Sequence, residues 1–541
     1  MATIKVSGLA AKNTLGGSEE ILINDGGVSK KSTVAGITLG GEVTGAVTAN
    51  VIAANVVDEA NLKVSNNPVN GYVLSAQSGN TGGLTWITAP STGVETHLTA
   101  TSNIGLGANA VNSITTGDRN VGLGDESGTA ITSGSNNTAI GNNTLSINST
   151  GNNNVAIGRD SMSANTTADH NTAVGYEALR INTTGANNTA IGALSLDANT
   201  TASNNTAVGY EALGANTTGH SNVAIGKDAF ASNTTGQRGV AIGTDALQAN
   251  TTANYSVAIG FESLAANTTG ANNIAIGKST LQANITGANN TAMGFESMAA
   301  NTTGANNIAI GSSALDANTT GADNVAIGVH ALTTATTASN NTAIGKYALE
   351  KNTTGDRNAA IGALALQANT TADANTAMGY EALKSNTTAE ANSAVGFQSL
   401  RANTTGANNT GIGMSALYSN TTGSSGTAVG YRALKANTTG VRNTAFGVES
   451  QFATTTADDN TSIGAFSLYT NTTGTDNVAV GKSALERNTT AANHVAVGKS
   501  ALFWNTTGAN NTAVGMESLL NNTTATGNVA VGMQTLRANT T

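Results

Sequence analysis

From Gly107 to Gly532 a glycine returns every 17 residues, 26 times, with no insertion or deletion. A spacing that never slips constrains the fold more than any other feature of the chain. Each unit must present the same face to the units before and after it, and one extra residue would break every column. Helical repeats usually need more than 30 residues per unit, whereas 17 suits one coil of a β-solenoid. Counting the glycine as position 1, the unit reads G-x-x-[AS]-L-x-x-N-T-T-[GA]-x-x-N-[TV]-A-[IV].

Two stretches of the unit alternate in a way that suits short strands. "NTAVG" or "NVAIG" is the first, with positions 15 and 17 on one face and the alanine at position 16 on the other. "ALxxN" is expected to be the second. Between them, "NTTG" and "xxN" supply Asn and Gly, which tolerate positive φ in turns. The predicted fold is therefore all-β: a parallel β-solenoid, or β-roll, with 17-residue coils. Coils about 4.8 Å apart would place like residues on like, and 26 of them would make a rod roughly 120 Å long.

Stacking gives each recurring residue a reason. Gly209 and Gly226 open successive coils. Leu213 and Leu247 belong to an apolar column at position 5, where Met162, Phe230 and Met298 substitute. Ile225 and Ile242 stack at position 17. Asn216 and Asn233 form one amide column at position 8, broken after Gly141 only by Ala335 and Thr454; Asn205 and Asn222 form another at position 14. Such ladders can hydrogen-bond along the axis and to turn backbone. One coil offers about two large apolar side chains, roughly 2 kcal/mol each, which does not readily offset the ordering of 17 residues. Self-association is therefore expected, through the narrow face formed by the alanine at position 16 and the glycine at position 1, with a parallel homotrimer as the anticipated form.

Composition excludes several functions. The formal charge is −9, and only 10% of residues are charged. No basic block offers nucleic acid a hold. No Cys is present, so disulfides, thiolate metal sites and cysteine nucleophiles are out. The start, "MATIKVSGLAAKNTLGG", lacks an apolar run long enough for a signal peptide, and no stretch is read as spanning a bilayer. The chain divides into an attachment segment (1–44), a shaft or junction (45–100) and the solenoid (101–541). In the shaft, "GAVTANVIAANVVDEANL" suits an intertwined shaft or a short helix. Pro68 and Pro90 lie before the solenoid, away from ladder strands.

"NNVAIGRDSM" (Asn153–Met162), "SNVAIGKDAF" (Ser221–Phe230) and "DNVAVGKSAL" (Asp476–Leu485) resemble the "NSVAIG" repeats of YadA-like trimeric adhesin heads. The longer "NTAVGYEALxxNTTG" is more similar to repeats of bacteriophage tail fibres. The front end agrees: "SEEILINDGGVSKKSTVAGI" (Ser18–Ile37) and "PVNGYVLSAQSGNTGGLTW" (Pro68–Trp86) resemble segments near the N-terminus of phage fibre proteins. The resemblance implies a trimeric rod of a virion. Its N-terminus would plug into a tail or baseplate protein, and its distal end would meet a host-surface glycan or protein, or a separate tip protein. A YadA-like adhesin or stalk at the cell surface is the alternative. The period here is longer than the usual YadA-type unit, and the sequence stops in mid-repeat at "RANTT", where a cap is expected.

No constellation for catalysis or cofactor binding appears, and no enzyme activity is expected. His97, His170, His220, His330 and His494 share no metal-ligand spacing, and the glycines are periodic without a P-loop Lys. "N-T-T" triplets match the N-glycosylation pattern, but their fixed place in the unit points to turn chemistry. Repeated Thr raises an ice-binding reading, against which the two Thr of each triplet are adjacent at a turn. Receptor contact is sought where the repeat fails. Phe503 and Trp504 in "LFWNTT" and Tyr431 in the position 2 aromatic series are the candidates, with packing between coils as the competing reading of that series. "VESQFATTT" (Val448–Thr456) is expected to be a local bulge.

Overall fold

A computed structural model describes Glu20–Asp25, Val28–Thr33, Tyr72–Ala76, Leu84–Thr88 and residues 102–540. The chain forms two compact units, Met1–Val94 and Glu95–Thr541. In the first unit, β1 (Glu20–Asp25) pairs antiparallel with β2 (Val28–Thr33), and β3 (Tyr72–Ala76) pairs antiparallel with β4 (Leu84–Thr88). The expected shaft or helix at 45–62, both prolines and His97 lie outside the described residues.

The second unit is a parallel β-solenoid. Its 26 strands of three residues, β5 (Ile104–Leu106) to β30 (Val529–Val531), each come from positions 15–17 of one coil. Every strand pairs in register with the next, as in Val223↔Val240, Ala224↔Ala241 and Ile225↔Ile242. Among the described residues β5 pairs only with β6 and β30 only with β29, so the ladder is open.

Position 16 points inward and positions 15 and 17 outward. Ala224 is fully buried, whereas Ile225 is 39% exposed. This reverses the expected association face: the small-residue side is the inside of the coil, where a larger side chain would not fit. Gly209 is not a docking surface either. Its φ is 141°, and a Cβ there would strike the carbonyl of Gly226 in the next coil. The close approach that requires glycine is made by the chain's own next coil.

The expected second strand at "ALxxN" is a turn. In the coil opened by Gly209, Ala212, Leu213 and Asn216 are all buried. Two adjacent buried residues followed by a third cannot come from a flat strand, whose side chains alternate between faces. The chain curls around its interior instead, with Glu211 at φ 53° and Leu213 at φ 52°. A left-handed Leu costs about 1–2 kcal/mol, and the axial bonding holds it there. Glu211 donates its N–H back to the Ala193 carbonyl (3.1 Å), while Leu213 donates forward to that of Ala229 (3.0 Å). Ser221, at φ 61°, again donates backward, to Ser203 (3.1 Å). The left-handed residues thus turn successive amides toward opposite neighbours, and the curved stretch is bonded along the axis like a strand.

The interior of a coil holds little apolar bulk. In that same coil it consists of Ala212, Leu213, Asn216, Gly219, Asn222 and Ala224. Two amide ladders fill the remainder. Asn216 donates through Nδ2 to Asn199 Oδ1 (3.0 Å) and to the Gly219 carbonyl (2.9 Å), and its Oδ1 accepts from Asn233 (2.8 Å). The backbone N–H of Asn222 donates to Asn205 Oδ1 (2.9 Å), and its Nδ2 to the Gly236 carbonyl (2.9 Å). The position 8 amide closes its own turn and both amides link to a neighbouring coil, so their desolvation is compensated.

The apolar core runs from Val111 to Ala445 and resumes from Leu468 to Ala530. Between these runs, the coil from Gly447 to Ile463 replaces Leu, Asn and Ala with Gln451, Thr454 and Ser462, all fully buried. The expected bulge is absent: Thr444↔Thr461 and Phe446↔Ile463 keep their register. The irregularity is chemical. Gln451 Nε2 donates to the Thr444 carbonyl (2.9 Å) and Ser462 Oγ (3.0 Å), while Asn437 Oδ1, Gln451 Oε1 and Thr454 Oγ1 have no protein partner.

Candidate functional site

With the interior fixed by stacking, distinctive chemistry is confined to outward columns. Position 6 changes character along the rod. From Gly214 it runs through Ala231, Gln248, Ala265, Gln282 and Ala299, which leave a plain face. Around Gly214 and Ala231 this face is recessed into a shallow notch bordered by Asp197 and Glu211. From Lys384 onward the same column reads Lys384, Arg401, Tyr418, Lys435, Phe452 and Tyr469, then Glu486 and Phe503. All of these are half-buried side chains on the outer surface.

Coil spacing sets cations on rings. The Arg401 guanidinium lies 5.7 Å from the Tyr418 ring centroid and the Lys435 ammonium 5.4 Å from that of Phe452. Phe452 stacks on Tyr469, with centroids 5.2 Å apart. At the lower end of this series Glu381 binds its cations tightly, at 2.7 Å from Lys384 Nζ and 2.7 Å from Arg401 Nε. Burial alone would raise the Glu381 carboxyl. Hydrogen bonds from Lys384, Arg401 and Gln398 outweigh that and bring it to about 2. Lys435 makes no ion pair among the described residues.

Phe503 and Trp504 lie on this same corner, at positions 6 and 7. Their rings meet edge to face at 5.0 Å, with Trp504 47% exposed. Arg487, one coil earlier, places its guanidinium 5.5 Å from the Trp504 ring and 5.9 Å from that of Phe503. Tyr431 is not part of this group: it stands in the position 2 column, four coils earlier, with Arg432 4.8 Å from its ring. In the position 2 column, Tyr380 and Phe397 occupy adjacent coils and stack face to face at 5.5 Å. Their ring faces meet each other and leave the edges to solvent.

Arg487 and the run from Lys384 to Tyr469 escape a unit-by-unit reading, because no single coil there looks unusual. Reading down one position in steps of 17 reveals them. The histidines stay apart: His170, His220, His330 and His494 fall in different coils. His330 stacks on Tyr347 at 5.4 Å, and His494 is buried in the position 14 ladder. Among the described residues no group of three His, Cys, Asp or Glu could hold a metal ion, and no helix is long and apolar enough to cross a membrane.

Two further patterns find their place. The Asn of the "N-T-T" triplets before the last, such as Asn216 or Asn233, is buried in its ladder and presents no amide to a glycosylating enzyme in the folded chain; Asn539 is half-buried. The first Thr donates its hydroxyl along the axis, as from Thr217 to the Thr234 carbonyl at 3.0 Å, so it is engaged by protein. The sequence matches no protein-family profile, no curated protein and no solved structure.

Proposed function

We propose that the chain is a structural rod for surface attachment, a trimeric tail fibre of a phage or phage-like particle. The observation that carries this reading is the unbroken 17-residue ladder of 26 strands with variable chemistry confined to its outside. Such a ladder is stiff, because its axial backbone bonds recur at many points of every coil. Catalysis needs convergent groups, and a uniform rod spreads its groups in columns. The N-terminal unit would hold the particle, and the position 6 and 7 face would meet the host. Three parallel chains would multiply weak contacts into useful avidity.

The outward apolar stripe at position 17 supports self-association. Ile191, Ile225, Ile259 and Ile310 are each more than a third exposed along one line, and continuous apolar surface of that kind marks an interface. Sedimentation of the full chain is expected to give a trimer, and Ile225→Lys together with Ile259→Lys is expected to weaken it. A monomer at high concentration would refute the assembly. Immunolabelling of intact particles with an antibody to residues 101–541 tests the fibre itself. Label on particle tails supports it, and label on cells but never on tails favours the YadA-like surface adhesin, which rests on the same "NVAIG" repeats.

A further inference from the structure

The position 6 and 7 face between Lys384 and Trp504 brings three properties together in one column. It gathers cations on a chain of net charge −9: Lys384, Arg401, Lys435 and Arg487, against Glu381 and Glu486. It interleaves those cations with the rings of Tyr418, Phe452, Tyr469 and Trp504. Beside them the position 7 column is small, as along much of the rod, including Ser385, Ala402, Ser419 and Ala436.

We propose that this face binds an anionic polysaccharide lying along the rod axis. The inference rests on the attachment reading above and names the ligand class of its outer face. Pyranose rings present C–H faces that pack on aromatic side chains, and carboxylate or sulfate substituents pair with Lys and Arg. One coil advances about 4.8 Å, comparable with the length of one hexose in an extended chain. Successive side chains therefore address successive sugars. The ladder behind them is fixed before the ligand arrives, so little ordering is required on binding. Nucleic acid is the weaker match: a handful of partly neutralised cations over eight coils gives a low charge density for a phosphate backbone.

The test uses the full chain and an oligogalacturonate long enough to span the eight coils, titrated calorimetrically at two salt concentrations. Saturable binding that weakens with salt is expected, with none to a neutral dextran of equal length. Lys435→Gln with Arg487→Gln should weaken binding about tenfold and flatten its salt dependence. Trp504→Ala should weaken it comparably at unchanged salt dependence, and Gln282→Ala on the plain part of the column should change nothing. Unaltered circular dichroism and hydrogen exchange would confirm that each variant retains the solenoid. Failure to bind oligogalacturonate, a sulfated glycan or polysialic acid overturns the proposal, as does equal binding of single-stranded DNA of matched charge. Label on particle tails without glycan binding would sink this inference and leave the fibre standing. Glycan binding with label never on tails would do the reverse.

Discussion

His494 occupies a site built for asparagine and satisfies it only while neutral. In the position 14 ladder an Asn such as Asn222 accepts the next coil's N–H through Oδ1 and donates through Nδ2 to a turn carbonyl. His494 takes over part of this role: Nδ1 accepts from the Asn511 N–H at 3.2 Å, and Nε2 lies 3.1 Å from Asn505 Nδ2. Its own N–H donates to Asn477 Oδ1 at 3.0 Å. Burial, the dominant cause, pushes the imidazole down from 6.5 to about 4. A depressed histidine stabilises the fold fully above the unfolded pKa near 6.5 and loses that contribution as pH falls toward 4. Below that the imidazolium is forced on the fold, and its protonated Nδ1 opposes the Asn511 N–H. The span corresponds to about 3 kcal/mol. His494→Asn should remove the pH dependence while keeping the ladder. Hydrogen exchange between pH 7 and pH 4 is the assay, because a long repeat array need not unfold in two states. Protection in residues 481–515 should fall in the wild type and hold in the variant. Carboxylates such as Glu381 titrate alike in both chains and cancel in the difference. Equal acid lability of the two chains, or a variant less protected at pH 7, would refute the reasoning.

Gly209→Ala should cost at least about 2 kcal/mol through its φ of 141° and the Gly226 carbonyl in its path; exchange protection in the flanking coils measures this, and an unchanged profile contradicts it. Ala335→Asn should stabilise by about 1 kcal/mol, because Asn318 Oδ1 has no protein partner beside the missing amide; thermal melts should shift upward. Gln451→Leu, Thr454→Asn and Ser462→Ala together should join the two apolar runs. If the polar coil separates two cooperative blocks, calorimetry of the wild type shows two transitions and the triple variant merges them.

The period, the strand and the two Asn columns were legible in the sequence because each depends on one residue type at one fixed spacing. The orientation of the strand was not. Val-Ala-Ile alternates equally well in either sense, and the usual preference would put Ile225 inside. What decides is volume: the coil already holds Leu213 and two amides, so only Ala224 fits at position 16. "ALxxN" misled for a related reason. Left-handed φ at Leu213 is improbable for an isolated residue and becomes tolerable only when the next coil supplies a carbonyl to its N–H. That partner belongs to the stack, and no single unit contains it. The Phe503–Trp504 pair was visible as an anomaly, but its relation to Arg487, Tyr469 and Lys435 is a property of columns.

Departures from the repeat divide into two kinds with different physical consequences. Outside the coil, Gly214, Lys384 and Phe503 occupy the same position without disturbing register, because the axial bonds are made by backbone and buried amides. Such changes are nearly free, so selection for contact can write there. Inside, polar-ladder departures leave a mark: Ala335 and Thr454 orphan an amide oxygen, Gln451 leaves its own carbonyl unpartnered, and His494 makes its coil sensitive to acid. Four inner departures, Gln451, Thr454, Ser462 and His494, fall between Gly447 and Gly498, within the stretch where the outer column turns cationic and aromatic. Gln451, Thr454 and the buried His494 therefore lie where the surface is cationic and aromatic. A rod selected for stiffness alone would have kept Leu, Asn and Ala there, as it does in most other coils. Sites that serve recognition commonly tolerate such local weakness, and this coincidence makes the distal stretch the segment where rod mechanics and surface recognition are most directly coupled.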